Sequence, residues 1–142
     1  MKATLQKRFM LMLAPALIGF SYVLLLRSLG IHPIDAATMA GWVPVLFILA
    51  VVSAAAAPIM VRTAFAHRMH RRRQTSETEF SRFQNSLLIV VMATPYLALA
   101  VYTLAAPTFY LGGALLAMLY ALYYHYPSEK RLAFDRRVFR VQ

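Results

Sequence analysis

The residues with the clearest chemical potential are arginines, and they recur at a fixed spacing. Pro58, Arg62, Ala64, Phe65, Arg68 and Arg71 are matched by Pro127, Arg131, Ala133, Phe134, Arg137 and Arg140, so the pattern P-x3-R-x-A-F-x2-R-x2-R occurs twice. It reads either as a coincidence between two basic helix ends or as an internal duplication. A guanidinium grips a phosphate or carboxylate through two parallel N–H bonds. Arg62, Arg68, Arg131 and Arg137 are therefore the candidate ligands for an anionic lipid or phosphate group, with Tyr124 and Tyr126 beside them. Other chemistries lack their residues. His67 and His70 are three apart, but arginines surround them and no acid or cysteine stands near, so no metal site is expected. No nucleophile has its base, no acid is paired for catalysis and no phosphate loop is present, so neither a catalytic site nor a cofactor is expected. Glu77, Glu79, Glu129 and Asp135 are expected to cap helices and pair with arginine.

The elements that position these arginines are apolar. The chain has 142 residues, 61% hydrophobic and only 14% charged, too few charges for a water-exposed surface. Residues 9–26, 36–61 and 83–128 carry no charge, and the last run is broken near Ala106-Pro107 and Gly112-Gly113. A crossing needs roughly 20 apolar residues for about 30 Å of hydrocarbon. The expected fold is an all-α polytopic membrane protein, a single membrane domain over 1–142 with four transmembrane helices as two tandem hairpins. Hairpin one covers 8–73, with spans at about 9–29 and 37–62; hairpin two covers 77–127, with spans at about 83–105 and 109–126. Residues 128–142 form a basic amphipathic cytoplasmic tail.

The net charge of +10 is unevenly placed: with four spans every Lys and Arg except Arg27 falls on one side. That side is the cytoplasm by the positive-inside rule, which puts both termini there. The placement argues against nucleic acid as the partner and for anionic lipid headgroups, each nearby basic residue contributing about 1 kcal/mol. A bacterial inner membrane is the expected location. The first run has a basic start, but it is long and lacks a small-x-small cleavage site, so it is expected to stay as a helix. There is no cysteine and hence no thiol chemistry.

Within the spans, Ala50, Ser53, Ala54 and Ala57, and on span four Gly113, Ala117 and Ala121, are small residues at helical spacing that allow close helix packing. Pro58 is expected to bend or loosen the end of span two. Its helix should continue past Arg62, with Phe65 and Met69 on one face at the lipid surface, and stop at Gln74-Thr75. Asp35 is expected to cap span two, and Ser76 with Glu79 the start of span three. Tyr120, Tyr123, Tyr124, His125 and Tyr126 read as an interfacial aromatic belt. Phe134 and Val138 share a face of the tail as Phe65 and Met69 do in the first copy. Ser53, Tyr22, Tyr96 and Tyr102 need partners at membrane depth, by default on another helix. Two hairpins of the same orientation imply a pseudo-two-fold axis along the membrane normal.

Arg8-Phe9 and Arg82-Phe83 at the hairpin starts, Arg62 with Phe65 at one closing, and Tyr126, Lys130, Arg131 and Phe134 at the other resemble the motifs of the GtrA-like family of small four-span proteins. The Leu29-Gly30-Ile31-His32-Pro33 loop is similar in placement. The chain departs from the family pattern where an asparagine is usual: Ala56 or Ala57, and His125, stand there. It also lacks the early glycine, and its span two is longer. The resemblance implies a non-enzymatic protein that binds or translocates an anionic lipid-linked substrate of the polyprenyl-phosphate-sugar type, or that holds partner glycosyltransferases. The alternative is a structural or assembly accessory subunit of a larger membrane complex, its small-residue faces docking a partner membrane protein or a second copy of the chain.

Overall fold

The computed structural model describes residues 2–31, 34, 40–70 and 75–141, and among them the only pairing outside helices is one isolated bridge, Thr75 with Val141. Helix α1 spans Lys2–Ser28. A short 3-10 turn, Ala40–Trp42, leads into α2, Val43–Val51, and α3 spans Ala57–His70. Then follow α4, Glu77–Thr103, α5, Thr108–His125, and α6, Glu129–Val138. Three stretches are long and apolar enough to cross a membrane: Ala3–Ser28, Ala40–His70 and Glu77–Thr103. Their outward faces carry large apolar side chains such as Leu11, Ile18, Leu24 and Met60, so this is a helical membrane protein. The fourth stretch, α5, has 18 residues, among them Tyr110, Tyr120, Tyr123, Tyr124 and a terminal His125. The cap expected at Asp35, the loop residues His32 and Pro33, the helix stop at Gln74 and the last arginine of the first pattern, Arg71, lie outside the described residues.

The helix ends follow from local chemistry. Ser76 Oγ accepts from the Glu79 amide at 3.3 Å, and Ser128 Oγ from the Arg131 amide at 3.4 Å; each satisfies a donor that the helix start leaves free. At the other ends the chain turns through the left-handed region at Gly30, Ala105 and Arg140, with φ of 74°, 52° and 49°. In each case the next residue's N–H returns to a carbonyl five back: Ile31 to Leu26, Ala106 to Val101, Val141 to Arg136. Only the first of the three uses the glycine that this geometry favours.

Pro58 acts upstream of itself. It has no N–H, and its ring crowds the carbonyl four residues back, at Ala54. The helix responds with a π-helical turn over Val52–Ala56, in which the Ala57 N–H reaches five residues back to the Val52 carbonyl. The rod from Ala40 to His70 stays continuous through it.

Helix α4 is the centre of the bundle. Phe80, Phe83, Leu87, Leu88, Val91, Thr94, Ala98 and Val101 are buried on it. Helices α1, α2, α3 and α5 all pack against α4, and α2 also packs along α5. Bonds from Arg8 to Asn85 and from Tyr96 to Met12, with Arg27 on Tyr102, show that α1 and α4 run parallel. Phe47 against Gly113 and Ala54 beside Ala121 put the second rod parallel to α5. Thus α1 and α4 run one way and the second rod and α5 the other, but the packing is not two-fold. Among the described residues α1 has extensive contact with α4 alone, whereas α4 is surrounded. The physical reason lies in composition: α4 presents buried side chains on several faces, while Leu11, Leu17, Ile18, Leu24 and Leu25 leave most of α1 apolar and outward.

Candidate functional site

The basic end of the bundle is built from the end of the second rod, the starts of α1 and α4, the end of α5, and α6. Arg62 follows Pro58 by one turn and points at α6. Its Nη2 lies 3.3 Å from Asp135 Oδ2, and Gln84 Nε2 of α4 donates to the same oxygen at 3.0 Å. Asp135 is 4% exposed, so its charge is held by these two donors in place of water. Arg136 pairs with Glu77 at the start of α4. Phe139 meets Phe65 and Phe83 edge-on at 5.0 and 5.3 Å, and those two rings stack at 4.2 Å. Together with the Thr75–Val141 bridge these contacts fasten α6 across the basic end.

Arg131 is placed differently. Its guanidinium lies over the Tyr124 ring, 4.6 Å from the centroid, and it makes no ion pair among the described residues. It borders two spaces. One is a cavity of about 30 Å³, room for about one water, shared with Arg62, His125 and Asp135. The other is a groove of about 560 Å³ between α1 and α5, walled by Phe9, Met10, Leu119, Leu122, Tyr123 and Tyr126 and ending at Ser128 and Arg131. The His125 ring lies near the Ala54 carbonyl, the group that Pro58 deprives of its helical donor. Tyr126 packs edge-on against Phe9 at 5.4 Å, and its hydroxyl accepts from Gln6 at 3.4 Å. Tyr120 stacks on Tyr124 at 5.4 Å.

Comparison with protein-family models, with curated proteins and with solved structures found no match.

Of the residues expected to bind an anion, Arg62, Arg131, Tyr124 and Tyr126 gather around one cavity. Arg68 and Arg137 do not join them. Arg68 is exposed beside a separate groove of about 350 Å³ that also holds Glu79 and Arg82, and Arg137 is exposed on α6. Arg62 differs from expectation in that its charge is already met by Asp135. Phe65 and Met69 do not face lipid: Met69 is buried, and Phe65 is stacked on Phe83. The reason is α6 with Phe139 just after it, which covers that face. Phe134 and Val138, at the matching places in the second copy, are 63% and 54% exposed.

The packing residues sit as follows. Ala50, Ser53 and Ala54 are buried, and Ala57 is half-buried. Ala54 and Ala121 lie in one apolar cluster with Phe9, Leu88, Val91 and Met92, and Ala117 packs against it. A Cβ on Gly113 would collide with the Phe47 ring. Ser53 finds its partner on α4, its Oγ 2.9 Å from Thr94 Oγ1, while also donating to the Ala50 carbonyl at 3.0 Å. Tyr96 donates to the Met12 carbonyl at 2.6 Å, and the Tyr102 ring sits 4.3 Å under the Arg27 guanidinium. No group of three potential metal ligands gathers among the described residues.

Sequence reasoning misses Gln84, Thr94 and the glycine of α1. Gln84 is a polar residue in an apolar run, which signals a buried partner, but nothing in the spacing names Asp135, 51 residues on. Gly19 reads from the sequence as merely tolerated in a membrane helix, whereas Leu99 of α4 occupies the space its side chain would need.

Proposed function

We propose that the chain is a four-span bacterial inner-membrane protein, both termini cytoplasmic, that binds or translocates an anionic lipid-linked substrate without catalysing a reaction on it. The observation that carries this reading is Arg131: a half-buried guanidinium, stacked on Tyr124 and without an ion-pair partner among the described residues, at the mouth of an apolar groove. A cation in that position matches a phosphate carried on an apolar chain. Exposed Lys7, Arg8, Arg68, Arg82, Lys130 and Arg137 at the same end add attraction for an anionic surface. The resemblance to the GtrA-like family makes a polyprenyl-phosphate-sugar the substrate class to try first.

The test is binding to nanodiscs of phosphatidylcholine with and without a polyprenyl phosphate. Wild type should prefer the anionic discs, and replacing Arg62 and Arg131 together by Gln should weaken that preference while circular dichroism stays helical. Unchanged preference would overturn the reading.

A second reading, an accessory subunit docked on a partner membrane protein, is favoured by α1, whose extensive contacts go to one helix and whose outer face is broad and apolar. A stoichiometric protein partner retained in mild detergent would support it over the first.

A further inference from the structure

Two guanidinium groups from matching places in the doubled pattern, Arg62 and Arg131, border one cavity at the basic end, and they are not equivalent. Arg62 has its charge met through Nη2 by Asp135, which Gln84 also holds, while its Nε is buried without a hydrogen-bond partner among the described residues. Among the described residues the Arg131 guanidinium has the face of Tyr124 and no ion pair. Arg131 also lies at the end of the α1–α5 groove, whose volume of about 560 Å³ falls within the range of ligand sites. The groove exists because α1 leans on α4 and leaves α5 largely uncovered on that side. Its walls are apolar along Met10, Leu119 and Leu122, and its polar groups, Tyr126, Ser128 and Arg131, collect at one end.

We infer that this groove is the seat of one anionic lipid, its long apolar chain between α1 and α5 and its phosphate on Arg131, while Arg62 serves only to hold the tail. The inference rests on the anionic-lipid reading above and assigns that reading's substrate to a single place. Charge complementarity selects the occupant. A zwitterionic phospholipid brings a phosphate already paired with its own ammonium, and an apolar helix of another protein brings no anion, whereas a phosphate ester with net negative charge supplies uncompensated oxygens for the N–H donors of Arg131. The direction follows as well: the headgroup faces the tail end of the bundle and the chain runs toward the α4–α5 turn.

The experiment compares single variants in phosphatidylcholine nanodiscs loaded with a polyprenyl phosphate, with retained lipid counted by native mass spectrometry. Arg131→Gln should weaken retention about tenfold, the loss of one charge-assisted contact. Arg62→Gln should leave retention within about twofold while making the tail easier to cleave with protease. Met10→Trp and Leu119→Trp, at positions 53% and 57% exposed, should fill the groove and reduce retention without touching a charge. Met60→Trp, on α3 and 69% exposed, away from the groove, controls for a general effect of a bulky side chain and should change nothing.

Loss with Arg131→Gln but not with either groove variant would overturn the groove while leaving anionic-lipid binding intact. Loss with Arg62→Gln and not Arg131→Gln would overturn the assignment of roles. If the groove variants instead convert a dimer to a monomer with lipid unchanged, the groove is an interface between copies and the inference fails. Release of the lipid by inorganic phosphate alone would show that the chain is not held. No retention by wild type would remove the underlying reading itself.

Discussion

The most informative single residues are those whose neighbours contradict their type. Ala105 sits at φ 52°, where an L residue costs about 1–2 kcal/mol relative to its normal region. It is exposed, so its methyl packs on little. Ala105→Gly should therefore raise the unfolding free energy by up to about 1 kcal/mol, read as a higher melting temperature in detergent. The glycines of α5 separate in the same way. Gly112 has open space where a Cβ would stand, so Gly112→Ala should stabilise by up to about 1 kcal/mol through helix propensity. Gly113→Ala drives a methyl into the Phe47 ring and should destabilise by about 1–3 kcal/mol, since that ring is hemmed in by Phe109 and Tyr110. Thr94→Val removes the hydroxyl opposite Ser53, yet Ser53 keeps the Ala50 carbonyl. The cost should be near 0.6 kcal/mol, roughly the average of such bonds in membrane helices; a loss above about 2 kcal/mol would mean that the hydroxyl pair holds the second rod to α4.

At the scale of elements, α6 is an added helix held by charge and aromatic contacts. Asp135→Asn leaves Arg62 without its counter-charge and should loosen α6 by about 1–3 kcal/mol. Limited proteolysis should then cut the tail near Ser128 faster than in wild type, while the helical bundle stays intact. Much at this scale was legible in the sequence. The apolar runs marked the long helices, Ser76 the start of α4, and Pro58 a disturbance in the second rod; the Ser128 cap of α6 was not read from the sequence. The use made of α6 was not legible. The doubled pattern places Phe65 and Phe134 alike, but one stacks on Phe83 and the other is exposed. A pattern of types records which residues can leave the membrane. It does not record that the second copy folds back over the first, because that depends on Asp135 and Phe139 meeting Arg62, Gln84 and Phe83 across large sequence separations. The candidate site was half legible for the same reason: the four arginines were visible, but which one is neutralised is decided by a carboxylate contributed from elsewhere.

At the scale of the molecule, the anionic-lipid account depends on α5 crossing the membrane. Its 18 residues span about 27 Å as a helix, close to the hydrocarbon thickness, and its tyrosines cluster toward the end nearest α6. If α5 crosses, the α1–α5 groove opens to lipid, and the basic end faces the cytoplasm with Arg27 alone among the described cations on the other side. The chain has no cysteine, so single-cysteine variants report position without further change. Ser28, Thr108, Ala66 and Ala133 are all exposed, and the first two lie at the end opposite the other two. In whole cells a membrane-impermeant maleimide should label Ser28→Cys and Thr108→Cys, and should reach Ala66→Cys and Ala133→Cys only after the membrane is permeabilised. Labelling of Thr108→Cys and Ala133→Cys from the same side would contradict the account, because α5 would then not cross and the Arg131 groove would not be a lipid site.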